Sequence, residues 1–364
     1  MILLMTALLV LGADVADGLG IRSKPGDDVT ITPVFGPESP GPYKHPASIA
    51  EFANGDLFIA YYGGSGEYVT DTAVYGARLK KGETKWSAPK VIADTPFYSD
   101  GNAVTWQAPD GLVWLFYVVR YGETWSNSRI QSKISKDNGE TWSDPFFLTF
   151  EEGTMVRGRP IVNSKGDYLL PVYHETGHDQ EFLGPDSASF FLYYDQKTKK
   201  WTETNRIHSR IGNIQPAVDV VDGDYLVTYC RRGGGYDPRK DGFIVRSESH
   251  DGGRTWSEGT ETKFPNPNAA VDFIRLQSGN LLLVYNNSFE DRTPLTVAIS
   301  TDKDKTYSFS RDIAEAPHSL AYPFVIQGKD GTIHIVFTCN NRTVINHAVF
   351  REDAIEQDKY RVKK

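Results

Sequence analysis

The sequence predicts an all-β fold, a six-bladed β-propeller of four-stranded antiparallel blades. Two periodic signals carry this. The first is the octapeptide Ser135-Lys136-Asp137-Asn138-Gly139-Glu140-Thr141-Trp142, which recurs as Ser249-His250-Asp251-Gly252-Gly253-Arg254-Thr255-Trp256 and, degraded, as Ser300-Thr301-Asp302-Lys303-Asp304-Lys305-Thr306-Tyr307. Weaker copies end at Trp86 and Trp201, so the aromatic positions 86, 142, 201, 256 and 307 step by 56, 59, 55 and 51. The second is a set of glycine turns between apolar runs, at Gly55, Gly111, Gly166, Gly223, Gly279 and Gly331, which step by 56, 55, 57, 56 and 52. Six turns in phase with the octapeptide predict six blades.

The octapeptide is a hairpin device. Its Asp accepts hydrogen bonds from nearby backbone N–H groups, its Gly takes positive φ without steric cost, and its aromatic residue packs the turn onto the next strand. Nothing in it is a nucleophile or a base.

In chain order, residues 2–11 form an apolar run too short to span a membrane. It fits the core of a signal peptide cleaved near Ala13 or Ala16, although no Lys or Arg precedes it. A leader over 1–16 and a secreted or periplasmic destination are therefore expected. No other stretch is apolar enough to insert in a membrane. Residues 28–35 alternate like a strand and are expected to complete the sixth repeat, which is one strand short. Each repeat then reads as an inner strand (47–52 in the first), the glycine turn, a second apolar strand (57–62), a polar loop, a third strand, the octapeptide turn and a fourth strand. The propeller spans 28–352 as one domain, and 353–364 is a charged tail expected at the surface.

Net charge is −8 and the pI about 5.6, so there is no basic footprint for nucleic acid. An anionic ligand must be held by a local cluster of arginines. Cys230 and Cys339 fall in the fourth and sixth repeats, which are not neighbours, so two buried free thiols are expected.

Antiparallel pairing fixes which loops share a face. The residues entering the inner strands, His45, Asn102, Arg159, Gln215, Asn268 and Tyr322, should ring the axis at one mouth. A second ring on that face comes from residues leaving the second strands: Glu67 and Asp71 after Gly63-Gly64, Arg120-Tyr121, His174-Glu175, Arg231-Arg232, Asn286-Asn287 with Arg292, and Asn340 with Arg342. Convergent Arg, His, Tyr and amides are what a ligand site needs.

The octapeptide resembles the Asp box, or BNR repeat, of the sialidase (neuraminidase) superfamily, and the resemblance covers roughly residues 40–350. It implies the same propeller, a carbohydrate partner with an acidic sugar, and no cofactor or metal. Sialidases hold the sugar carboxylate with three Arg, whose planar forks suit it, and use a Tyr nucleophile, a Glu that activates it and an Asp acid/base. By that resemblance Arg231 corresponds to the second Arg, Arg292 to the third and Tyr322 to the nucleophile. The chain departs elsewhere. Lys44 or His45 stands where the first Arg belongs, in Tyr43-Lys44-His45-Pro46-Ala47. Gln215 replaces the activating Glu, and a Gln cannot take a proton from Tyr. Glu67 and Asp71 are partial matches for the acid/base.

These residues point to an exo-acting glycoside hydrolase on an acidic sugar of sialic or uronic type, with Tyr322, His45, Glu67, Asp71 and Gln215 around the reacting centre. Arg231, Arg292, Arg159, Arg342, Arg232, Asn102, Asn268, Glu175 and His174 would hold substrate. Two alternatives stand beside it: a polysaccharide lyase on uronic-acid glycans with His or Tyr as base, and a glycan-binding propeller without turnover, which Gln215 favours. The H-E-x-x-H string at His174–His178 follows a strand and contains Gly177, so the helical face that zinc proteases need is missing and no metal is expected. Arg231-Arg232-Gly233-Gly234-Gly235 lacks the P-loop Lys-Ser/Thr and reads as a flexible rim loop. Asn341-Arg342-Thr343 is a glycosylation sequon.

Overall fold

The computed structural model describes residues 14–16, 20–23, 26–37, 41–178 and 182–362. The expected signal-peptide core, 2–11, lies outside the described residues.

Six antiparallel sheets follow one another round an axis. Blade 1 comprises Tyr43–Glu51, Leu57–Gly64, Ala73–Leu79 and Lys90–Ala93. Blade 2 comprises Ser99–Gln107, Val113–Arg120, Ser128–Ser135 and the short Phe146–Phe147. Blade 3 has a split inner strand, Thr154–Val156 and Ile161–Val162, then Tyr168–His174, Ala188–Asp195 and Lys200–Glu203. Blade 4 is Asn213–Asp222, Tyr225–Arg232, Phe243–Ser249 and Thr260–Pro265; blade 5 is Asp272–Arg275, Leu281–Asn286, Leu295–Ser300 and Phe309–Ala314. Blade 6 takes Ala321–Gln327, Ile333–Cys339 and Val344–Phe350 from the end of the chain, and its fourth strand, Thr30–Phe35, from the beginning. The second strands, such as Leu281–Asn286, are buried along their whole length between neighbouring blades.

The split in blade 3 has a local cause. Pro160 offers no backbone donor to the ladder, and Gly158 packs so closely that a Cβ there would lie 2.4 Å from the Pro216 carbonyl oxygen of blade 4.

All three octapeptides share one turn. In the first, Ser135 Oγ donates to Asp137 Oδ1 at 2.7 Å, and the Thr141 and Gly139 amides donate to Asp137 Oδ1 (2.9 Å) and Ser135 Oγ (2.8 Å). The bond from the Thr141 hydroxyl and those from the Thr141 amide and Ser135 hold the Asp137 carboxyl down at about 2. Two consecutive residues are left-handed in each turn: Asn138 and Gly139, Gly252 and Gly253, Lys303 and Asp304. The degraded copy keeps this backbone without glycine.

The aromatic residues act differently from the expectation that they pack onto the next strand. Each reaches back to the preceding blade. Trp256 of blade 4 stacks on Phe191 of blade 3 with ring centres 4.3 Å apart, and Tyr307 of blade 5 meets Phe264 of blade 4 at 5.1 Å. Trp142 leans on Phe58 of blade 1, Trp201 on Trp114 of blade 2, and Trp86 on His347 of blade 6. The motif is thus a clamp between blades.

The end of the chain also departs from the expected surface tail. Ala354 and Ile355 are buried in the core that blades 5 and 6 share with Ile21. Arg361 pairs with Phe309 and stacks on its ring, and the Val362 amide donates to the Ser308 carbonyl. Cys230 and Cys339 are free and buried. No helix of the described residues is long and apolar enough to cross a membrane.

Candidate functional site

Each inner strand starts at one mouth of the axial channel and ends at the other. At the starting end the strand register slips, between His45 and Ala47, Gly101 and Val104, Ile214 and Ala217, and Ala321 and Phe324. Asn102, Gln215 and Tyr322 lie within these slips with φ of 40°, 57° and 56°, and Asn268, ahead of the blade 5 strand, has φ of 56°. Left-handed backbone at a non-glycine residue costs about 1 kcal/mol or more. Its recurrence at one level of four blades shows what the strain achieves: a bulge re-aims a side chain that would otherwise alternate across the sheet. Here it aims them at a common point.

That point is a narrow cavity whose lining includes His45, Glu67, Asn102, Glu175, Gln215, Arg231 and Tyr322, with Tyr62, Trp125 and Tyr173 as aromatic walls. Arg231 is its hub. Its Nε donates to Asn268 Oδ1 at 2.7 Å, Nη1 to Tyr322 Oη at 2.8 Å and more loosely to Gln215 Oε1 at 3.4 Å, and Nη2 to Tyr236 Oη at 3.2 Å. Asn268 in turn is fixed by its own amide to the Gly234 and Gly235 carbonyls and accepts from Arg292 Nη2 at its backbone oxygen, 2.8 Å away. Asn102 donates to Tyr173 Oη at 3.0 Å.

Three guanidinium groups surround the Tyr322 ring, those of Arg231, Arg292 and Arg157 at 5.9, 5.5 and 5.8 Å from its centre. Burial works against ionising this phenol, but the charges of Arg231, Arg292 and Arg342 outweigh it and hold Tyr322 below its ordinary value. The same arginines act on His45 in the other sense. Burial, reinforced by Arg342, Arg292, Arg157 and Arg231, keeps its imidazole well below 6.5 and therefore neutral. Glu175 is 8% exposed. Burial lifts its carboxyl to about 7 against the pull of Arg231, so it exchanges a proton near neutrality.

A second, wider hollow opens beside the first, lined by Tyr43, Glu290, Asp291, Arg292 and Arg342. Tyr236 lines both and separates them, its ring lying over the Arg231 and Arg292 guanidinium groups at 5.7 and 5.2 Å. Arg342 is ion-paired with Glu67 and donates to Tyr43 Oη at 3.1 Å.

Several residues expected at this mouth stand elsewhere. Arg159 pairs with Asp219 at 3.0 Å and lines the opposite mouth, among the strand-end residues Glu51, Gln107 and Gln327. Arg157, two residues earlier, takes its place. It is buried, donates to the Val271 carbonyl at 3.0 Å and to the Pro323 carbonyl, and has the buried Asp272 as counter-ion. Arg232 turns away from Arg231 to brace the glycine loop, donating to the carbonyls of Asn266, Gly233 and Gly235, so that loop is anchored rather than loose. His174 faces outward and meets the Glu152 carbonyl at 3.0 Å, because neighbours along a strand point to opposite faces. Asp71 is exposed and caps its own loop at the Ser65 amide. Of the two candidates for the first arginine's position, Lys44 is buried against the Gly41 carbonyl and His45 faces the cavity. Among the described residues no group of three or more His, Cys, Asp or Glu is placed to hold a metal.

The BNR repeat-like domain model matches residues 55–335. Among solved structures the fold is similar to a Hadza microbial sialidase, Hz136, at a TM-score of 0.74 and 15% identity over 90% of this chain and 69% of that one. It is similar to NanB sialidase from Streptococcus pneumoniae at 0.70 and 11%, covering 86% and 69% of the two chains. It is similar to the intramolecular trans-sialidase of Ruminococcus gnavus at 0.69 and 14%, covering 88% and 96%. A protein of unknown function from Dyadobacter fermentans gives 0.69 at 16%, covering 85% and 95%. At these identities the likeness is one of fold. No curated protein sequence matches the chain.

Proposed function

This chain belongs to the BNR repeat-like domain family, and on that premise we propose that it is a glycoside hydrolase acting on a terminal acidic sugar, with Tyr322 as nucleophile and Glu175 as acid/base. What carries the reading is the Tyr322 hydroxyl held 2.8 Å from Arg231 in a cavity that Glu175 also lines. Arg231 and Arg292 lie over the Tyr322 ring, and the Arg231 side chain donates to two amides and two tyrosines, Asn268, Gln215, Tyr322 and Tyr236. A ligand carboxylate placed there gains charge-assisted hydrogen bonds from these guanidinium groups.

The chemistry needs no carboxylate at position 215. A Tyr nucleophile requires a phenolate, which the arginine charges favour directly. In the first step Tyr322 Oη bonds to the anomeric carbon while the Glu175 carboxyl protonates the departing glycosidic oxygen. In the second, the Glu175 carboxylate takes a proton from water, whose oxygen displaces the tyrosyl group and returns Tyr322 to its starting state.

One observation favours the lyase reading as second choice. Gln215 beside Tyr322 takes no proton from it, and a phenolate flanked by arginines is also a base for the proton next to a carboxylate. The two are separated by assaying aryl glycosides and polymeric glycans of sialic and uronic acids for released reducing ends and for the ultraviolet absorbance of an unsaturated product. Hydrolysis requires the first without the second. Tyr322→Phe should abolish turnover while leaving acidic-sugar binding within a few-fold. Unchanged turnover in that variant would remove Tyr322 from the chemistry.

A further inference from the structure

We infer that His45 Nε2 accepts a hydrogen bond from a substrate hydroxyl next to the bound carboxylate, which makes the substrate a terminal uronic acid with a free 4-hydroxyl rather than a sialic acid. This rests on the acidic-sugar reading and deepens it.

The argument begins with the tautomer. His45 Nδ1 lies 2.9 Å from Thr338 Oγ1. The Thr338 hydroxyl has one proton and places it on the Ala321 carbonyl oxygen, 3.2 Å away, which can only accept. Both contacts are satisfied only if Nδ1 carries the imidazole proton and donates to Thr338. Nε2 is then a bare lone pair. It is buried in a side chain 1% exposed and has no hydrogen-bond partner among the described residues. The Tyr322 ring, edge-on at 4.2 Å between centres, holds the imidazole in that orientation. A buried acceptor without a donor is costly to maintain.

The neighbours define what completes it. His45 lines the same cavity as Arg231, Gln215 and Tyr322. Arg231 only donates, and Gln215 Oε1 is already turned toward it, so His45 Nε2 is a buried neutral acceptor left open to a ligand hydroxyl. The matching ligand has a carboxylate for the arginines and an O–H close by for His45. A uronic acid bears its carboxylate on C5 with the 4-hydroxyl on the adjoining carbon. A sialic acid bears its carboxylate on the anomeric carbon, and the adjoining ring carbon is a methylene with no hydroxyl to offer. The 4-hydroxyl must also be free, which fits exo-hydrolysis and disfavours a lyase, since a lyase expels the substituent at that oxygen.

The test uses the full-length protein as Tyr322→Phe, so that binding is read apart from turnover. The methyl glycosides of glucuronic acid, galacturonic acid, 4-deoxyglucuronic acid and N-acetylneuraminic acid are titrated by calorimetry, and matching aryl glycosides are assayed with the wild-type residue at 322. Glucuronic or galacturonic acid should bind at least ~10-fold tighter than the 4-deoxy analogue, the worth of one hydrogen bond to a buried acceptor. His45→Phe should bring that ratio to near one, and His45→Gln, which returns a neutral acceptor at the same reach, should restore most of it. Equal binding of the 4-deoxy analogue, or preference for N-acetylneuraminic acid, would overturn the inference and leave the acidic-sugar reading standing. Failure of all four acids to bind would overturn both. Should His45→Phe not fold, the ratio measured with His45 intact and in His45→Gln still decides the question.

Discussion

Glu175→Gln should make the protein more stable and less active, by amounts that depend on pH in a way the structure sets. An ordinary glutamate titrates near 4.5, whereas burial lifts Glu175 to about 7. Between those values the folded protein holds a proton that the unfolded chain releases. Stability therefore falls as pH rises through that window, and the full cost is present above about pH 7. At about 1.4 kcal/mol per pH unit, the gap from 4.5 to about 7 is worth ~3 kcal/mol at full ionisation. A neutral Gln carries none of that cost. With an unfolding entropy of about 2 cal/mol/K per residue over the chain, Glu175→Gln should melt ~4 °C above the parent at pH 8 and close to it at pH 4.5. Asp100, also lifted to about 7 by burial, contributes the same slope to both proteins and cancels in the difference. Turnover should fall most for substrates with poor leaving groups, which need the Glu175 proton, and least for activated aryl glycosides. Thermal melts of the two proteins across pH 4.5–8 and hydrolysis rates on a leaving-group series check this. Parallel melting curves, with no divergence as pH rises, would refute the raised Glu175 carboxyl and the acid/base role built on it.

Other perturbations probe the rest of the site. Tyr236→Phe removes the hydroxyl that occupies Arg231 Nη2, so acidic sugars should bind several-fold tighter by calorimetry; weaker binding would mean that this hydroxyl itself contacts the ligand. Arg292→Ala should weaken acidic-sugar binding by ~10-fold or more and lower the melting temperature only slightly, whereas Arg159→Ala, at the far mouth, should leave binding unchanged. Trp256→Ala removes the stack on Phe191 and should cost ~3–5 kcal/mol in chemical denaturation, with KM preserved in the folded fraction.

The blade count and the turns were legible because they repeat. Ser135, Asp137, Gly139 and Thr141 form a local hydrogen-bond set that needs no distant partner, so its spelling announces its shape. The mouth was legible only in part. Arg159 was read as the third blade's axial residue at seven residues before its glycine turn, while Arg157 stands at nine, inside the range of eight to eleven that the other five blades keep. Spacing alone would have chosen Arg157. Choosing Glu175 over His174 required knowing which face of the strand Tyr168–His174 meets the axis, and both of its faces pack against other blades. Tyr236 gave no signal, since its role comes from a loop pinned by Arg232. The C-terminal segment is rich in charge, yet Ile355 among those charges anchors it, and composition averages hide one buried isoleucine.

The ring is fastened by Thr30–Phe35, borrowed from the opposite terminus. A version of the protein shortened past Phe35 would lose that strand and bare the row of peptide groups along Val344–Phe350. It would also lose Ile21, whose amide donates to Asn346 at 3.1 Å. Two such molecules have every reason to lend each other the lost segment, so trimming this end invites strand exchange and aggregation before it loosens any single blade.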